Sequence, residues 1–124
     1  MGQIYRLHRS QPVSDAVDYT VIRTLKGAVG HKRYTEIAEE ATFALAERLG
    51  RLERAHRQKD FAMCYRHALN ICGIASQIGL RGVADVAADV MTCAKNGDVA
   101  ITAVIHRLNL LAEASLFAVF REES

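Results

Sequence analysis

The sequence is poor in the residues that interrupt helices and build turns. Proline occurs once in 124 residues, at Pro12, and only 6% of the residues are aromatic, while 50% are hydrophobic. Alanine, leucine and arginine are abundant, and clusters of turn-forming residues are scarce. A chain of this length can bury one core unaided, and this composition favours helices, so we predict a single all-α domain.

Other absences narrow the possible functions. The formal net charge is only +2, without the concentrated basic stripe of nucleic-acid-binding proteins, so we expect no nucleic-acid partner. No run of 18 apolar residues occurs, so we expect no membrane-spanning segment. Cys64, Cys72 and Cys93 have no paired spacing and follow no secretory leader, which favours free thiols in a reducing cytoplasm.

The sequence also lacks the arrangements that enzymes and metal sites require. It has no glycine-rich phosphate loop, no Ser-His-Asp spacing and no pair of inward carboxylates suited to acid–base chemistry. Cys64 and His67 have a workable ligand spacing, but structural zinc normally needs four convergent ligands. We therefore expect a protein that is not an enzyme and has neither a metal nor a cofactor.

Apolar residues recur three and four positions apart in several long segments, the pattern of amphipathic helices. We predict that Ser14 or Asp15 caps a first helix, which stops near Gly27 to Gly30. A basic turn follows, and we predict that Thr35 caps a second helix, which runs to about Gln58.

Three further helices complete the predicted fold. Asp60 is a suitable cap for the third, and Gly79 separates it from a fourth that runs to about Asn96. The Asn-Gly-Asp sequence at 96–98 ends that helix and opens a fifth. Short loops make successive helices antiparallel, which predicts an up-down four-helix bundle with an additional N-terminal helix across one end. Residues 1–12 are predicted to be a flexible arm, and residues 13–124 the helical domain.

The third helix has the clearest periodicity. Its inner seam consists of Phe61, Cys64, Ala68, Ile71, Ala75 and Ile78. Because each residue turns about 100° around the helix axis, Leu69 falls on the opposite, exposed side, close to Tyr65, Gly73, Ser76 and Gln77. His67 lies about 200° from Leu69, which places it on a flank of the seam.

The stretch from Asp60 to Asp98, DFAMCYRHALNICGIASQIGLRGVADVAADVMTCAKNGD, resembles the histidine-containing phosphotransfer (HPt) domains of bacterial phosphorelays. Their signature is a histidine, a basic residue three positions later, a glycine four later and a second glycine ten later. Leu69, Cys72, Gly73 and Gly79 occupy those places here. The resemblance implies the helical bundle predicted above. A hydrocarbon side chain cannot carry a phosphoryl group, so we expect no transfer at Leu69.

We therefore predict a non-catalytic HPt-like protein that binds a partner in two-component signalling. HPt domains dock receiver domains of response regulators through an apolar patch around the histidine, so the resemblance implies a receiver domain or a histidine kinase as partner. We call the corresponding candidate residues the Leu69 surface; they are Tyr65, Arg66, Leu69, Cys72, Gly73, Ile74, Gln77 and Arg81.

Two alternatives remain open. A shifted register would make His67 the phosphoryl acceptor, with Asn70 in place of the basic residue and the bulky Ile71 in place of the glycine. Alternatively, Leu69 from two copies could meet about a twofold axis, giving a homodimeric helical scaffold. The plainer interpretations are a histidine packed on the flank of the bundle and a single exposed leucine.

Overall fold

The computed structural model describes residues 16–123, with side chains as far as Phe120. Within these residues the chain is helical apart from short connections and contains no strand, which confirms the all-α class. The predicted arm at residues 1–12 lies outside the described residues. The helices are α1 (Tyr19–Val29), α2 (His31–Arg57), α3 (Phe61–Gln77), α4 (Arg81–Asn96) and α5 (Ile101–Glu123).

Helices α2 to α5 form the predicted up-down bundle. Helix α3 packs between α2 and α4, while α5 packs mainly against α4 and also touches α2. Helix α1 packs on α2 and reaches the turn between α3 and α4. The additional N-terminal helix therefore covers one end of a four-helix bundle, as the sequence predicts.

The core is built from the inner face of each bundle helix. Leu45 and Leu52 of α2 are two turns apart and fully buried, and they meet Ile71 of α3, Val90 of α4 and Leu108 of α5 in one apolar cluster. Burial of apolar side chains of this size is the main stabilising contribution to such a bundle, at roughly 1.5–3 kcal/mol for each large aliphatic residue.

The start of α3, the end of α4 and the start of α5 are fixed by the capping residues that the sequence predicts. A carboxylate oxygen of Asp60 accepts a hydrogen bond from the Met63 amide at 3.2 Å, which caps α3. Gly97 adopts the left-handed conformation that ends α4, with φ of +62°. The Asp98 carboxylate then accepts a hydrogen bond from the Ala100 amide at 2.9 Å, just before α5 begins.

The first two helices end where the sequence predicts, at Val29 and Arg57, but they begin at other residues than predicted. The N-cap of α1 is Asp18, which accepts hydrogen bonds from the amides of Thr20 and Val21; Ser14 and Asp15 lie outside the described residues. Thr35 does not cap α2, because that helix begins at His31, directly after Gly30 with its φ of +86°. The Thr35 hydroxyl instead donates to the His31 carbonyl at 3.1 Å inside the helix.

Helix α5 contains one stretch, Ile101–Phe120, that is long and apolar enough to cross a membrane by length and composition, with a mean hydropathy of 1.4. This is weak evidence for a membrane span, because core helices of soluble proteins meet the same criteria. The stretch carries Arg107 and Glu113 and packs against α4 and α2. That the chain does not cross a membrane stays a prediction.

A backbone hydrogen bond joins the segment before α1 to the turn between α3 and α4. The Asp18 amide donates to the Gly79 carbonyl at 2.7 Å. Gly79 has φ of +82°, and a Cβ atom at this position would lie 2.8 Å from the Asp18 carbonyl oxygen. The turn therefore requires glycine for two reasons, its left-handed backbone and its close contact with α1.

We expect Gly79→Ala to lower the free energy of unfolding by about 1–3 kcal/mol, because the added methyl group is strained in that conformation and displaces Asp18. Gly73→Ala is the matched control. It lies within α3 with open space around it, and we expect it to raise stability by about 0.5–1 kcal/mol. Urea unfolding measures both changes, and equal stabilities for the two variants would contradict this role of Gly79.

Candidate functional site

The side chain of Leu69 projects into solvent from the middle of α3. It is 50% exposed, on the side of the helix opposite the fully buried Cys64, Ile71 and Ala75. Tyr65, one turn earlier on the same side, is 38% exposed. The structure thus confirms the rotational placement predicted from periodicity, and an apolar stripe runs along the outer side of α3.

Small residues leave room around Leu69. A Cβ atom at Gly73, one turn later, would have no neighbour within 4 Å, so the helix backbone is accessible there. Ala62 and Ser76 are also exposed and lie on the same side of α3. The Ser76 hydroxyl donates to the Cys72 carbonyl at 2.8 Å, so a partner could cover it without leaving that hydrogen bond unmade.

The other predicted residues of the Leu69 surface differ in their exposure to solvent. Arg66 and Gln77 are exposed on α3, and Arg81 is exposed at the start of α4. Cys72 is half-buried. Ile74 is half-buried in a groove that α3 forms with Leu25 of α1 and with α2, about 140° around the axis from Leu69, so it lies outside the exposed stripe that contains Leu69.

Ala62 is absent from the predicted site, although the sequence contains the signal for it. It lies seven residues before Leu69, two helical turns away, and therefore shares its side of α3. The HPt signature consists of the position of Leu69 and of residues that follow it, so it does not include Ala62. Periodicity alone would have extended the surface one turn further toward Asp60.

His67 faces the interior. It is only 6% exposed and lies on the side of α3 that faces α2, and its Nδ1 atom has no hydrogen-bond partner among the described residues. A phosphoryl acceptor must be reached by an aspartyl phosphate on another protein. The burial of this ring therefore disfavours the hypothesis that His67 accepts a phosphoryl group.

The surroundings of His67 also favour its neutral form. Burial lowers the pKa of the imidazole, and the positive charges of Arg48, Arg51 and Arg66 lower it further, while the Asp60 carboxylate opposes them weakly. A neutral imidazole can occupy the boundary between two helices without bringing an unpaired charge inside. The plainer interpretation of His67, a histidine packed on the bundle flank, fits this environment.

The cysteines are free thiols, as the sequence predicts. Burial raises the pKa of Cys64 and of Cys93, with smaller contributions from nearby aspartates, so both remain protonated and act as small apolar side chains. Within residues 16–123, no three histidine, cysteine, aspartate or glutamate side chains are grouped so that they could hold a metal ion.

Comparison with solved structures places the fold. The chain is similar to the crystal structure of histidine-containing phosphotransfer protein B (HptB) from Pseudomonas aeruginosa PAO1, with a TM-score of 0.81 and 20% sequence identity over 87% of this chain and 93% of that protein. The fold is therefore that of an HPt protein, as the resemblance implied. No protein-family model matches the sequence, and the search of curated proteins gave no match.

The lowered pKa of His67 predicts a pH-dependent stability. Because the folded state disfavours the protonated ring, the unfolded chain takes up the proton first as the pH falls below about 6.5, its ordinary pKa. The contribution of His67 is thus present above pH ~6.5 and is lost as the pH falls from there through the lowered pKa of the folded state.

Urea unfolding at pH ~7.5 and pH ~5.5 measures this loss. We expect His67→Gln to lose less stability than the wild type between the two conditions. His106→Gln, at an exposed histidine of α5, is the matched control and should behave like the wild type. If His67→Gln shows the same pH dependence as the wild type, the buried ring is not the source.

Proposed function

We propose that this protein is a non-catalytic HPt-like module that binds a two-component signalling partner through the Leu69 surface. The observation that carries the proposal is the exposure of Leu69 on the open side of α3 of an HPt-type bundle. An exposed aliphatic residue beside an exposed tyrosine and an open glycine forms a continuous apolar stripe. Contiguous apolar surface is characteristic of interfaces, whereas single exposed leucines are common.

Compared with the HPt signature, two positions of this chain lack the groups that phosphoryl transfer requires, while the glycine beside them is kept. Leu69 has no nucleophilic atom, and the half-buried thiol of Cys72 replaces the basic residue expected three positions later. Gly73, which would admit a partner close to the helix, is present and unobstructed. This combination supports binding without transfer, so we propose that the protein is not an enzyme and uses no cofactor.

The partner class that we propose is a receiver domain of a response regulator, with a histidine kinase as the other candidate of the same pathway. Arg66 is exposed on α3, 60° around the axis from Leu69 by helical geometry, where it can attract an acidic partner surface. Such a rim charge mainly raises the rate of association. Both partners would place this protein in the cytoplasm, where it would occupy a receiver or a kinase without passing on a phosphoryl group.

A first test replaces the central leucine. We expect Leu69→Glu to abolish recovery of a response regulator from the native cell extract, because a carboxylate would be desolvated in the apolar contact. The matched control is Leu110→Glu, since Leu110 is a leucine of α5 with a similar exposure of 56%. Far-UV circular dichroism should show the same helical content for both variants.

Recovery of the same regulator with Leu69→Glu would place the binding site elsewhere. Loss of recovery with Leu110→Glu as well would show that the effect is not specific to α3. If neither a response regulator nor a histidine kinase is recovered with the wild type, two-component signalling is the wrong class of function.

A second test restores the missing chemistry. We expect the double substitution Leu69→His and Cys72→Lys to let the protein accept a phosphoryl group from the phosphorylated receiver, because the surface already positions that residue beside an open glycine. Acid-labile phosphate on the double variant, and none on the wild type, is the expected result. Label on the wild type that disappears in His67→Gln would instead support transfer through His67.

A further inference from the structure

Among the described residues, the outer side of α2 carries a second surface that no other helix covers, distinct from the Leu69 surface. Phe43 is 83% exposed, the most exposed aromatic side chain of the described residues. It lies opposite the fully buried Leu45 and Leu52, which face the core from the same helix. We define the α2 face by the six exposed residues from Glu36 to Arg57 that lie within about 60° of one another around the helix axis; they are Glu36, Glu39, Phe43, Gly50, Arg54 and Arg57.

The charges of the α2 face are separated along the helix. Two glutamates, Glu36 and Glu39, lie toward its N-terminal end, and two arginines, Arg54 and Arg57, lie toward its C-terminal end. The exposed Lys32 lies on the same side of α2, one turn before Glu36 and outside this face. The face spans about 32 Å at 1.5 Å per residue. Acidic residues near the N-terminus and basic residues near the C-terminus of a helix both interact favourably with the helix dipole. Phe43 and Gly50 lie on the face between its two charged ends.

We propose that the α2 face binds a second copy of this chain in antiparallel orientation. A twofold axis between Ala46 and Glu47 sets the acidic end of one α2 against the basic end of the other. Glu36 then lies along the same edge of the helix–helix contact as Arg54 of the second copy. Glu39 lies along the other edge, together with Arg57 of the second copy. Symmetry repeats both pairs, so four complementary pairs form.

Phe43 and Gly50 complement one another in the same arrangement. The axis that pairs the charges also places Phe43 of each copy opposite Gly50 of the other. A Cβ atom at Gly50 would have no neighbour within 4 Å, so the helix surface is open there to receive an aromatic ring. A glycine in the interior of a long helix costs about 1 kcal/mol relative to alanine, and close approach of a second helix gives it a purpose.

The remaining charges near the axis do not oppose this pairing strongly. Glu47 of the two copies would lie on the same flank, but each has its own Arg51 at 3.6 Å. Glu36 lies 3.7 Å from Arg33, an exposed ion pair of the kind that contributes little and can exchange partners. The dimer is thus expected to be sensitive to salt, because its polar contacts remain near solvent.

Charge reversal tests this arrangement with the full chain. One variant carries Glu36→Arg and Glu39→Arg, and the other carries Arg54→Glu and Arg57→Glu. Each variant alone sets like charges against one another, so we expect its dimer dissociation constant to rise at least about tenfold. An equimolar mixture restores all four pairs and should form a heterodimer as stable as the wild-type dimer. Sedimentation velocity at several concentrations measures the species, and far-UV circular dichroism verifies folding.

Aromatic substitutions give a second measurement. We expect Phe43→Glu to weaken the dimer, whereas Phe117→Glu, at an aromatic residue of α5 that is 67% exposed, should leave it intact. Leu69→Glu should leave it intact too, which separates this dimer from one formed through the Leu69 surface. The proposal is overturned if the wild type is monomeric at every concentration, if either charge-reversed variant dimerises as the wild type does, or if their mixture does not associate.

Discussion

The packing of α3 between α2 and α4 fixes which residues of α3 are exposed and which are buried. Fully buried Cys64, Ala68, Ile71 and Ala75 set the rotation of the helix, because turning any of them outward would remove core contacts. That one constraint exposes Leu69 and buries His67, although the two residues are neighbours in sequence. A change of side-chain rotamer cannot exchange their places, since the whole helix would have to rotate.

The apolar periodicity of α3 was sufficient to predict which of its residues are exposed and which are buried, because the helix can turn its apolar seam toward the core in only one orientation. Periodicity could not predict where α1 and α2 begin. Several residues near each start can cap a helix, and the choice of Asp18 depends on a contact with Gly79 that is distant in sequence. The position of Ile74 in a groove likewise required the placement of α1.

The two candidate surfaces lie on the outer sides of different helices, so a partner on one surface would not cover the other. A dimer through α2 leaves α3 of each copy accessible, so both uses are compatible. The likeness to an HPt protein at 20% identity shows the fold alone. A shared bundle architecture supports many different interactions. The two proposals therefore depend on surface residues of this sequence, Leu69 and Phe43, and not on the fold.

The hydrogen bond from Asp18 to Gly79 connects the end of α3 to the least extensively packed helix of the fold. Regions with few buried contacts open most readily in native-state fluctuations. An excursion that detaches α1 would release this amide and loosen the final turn of α3, which carries Gln77 at the edge of the Leu69 surface. Occupancy of that surface and attachment of α1 would then be thermodynamically coupled, each favouring the other.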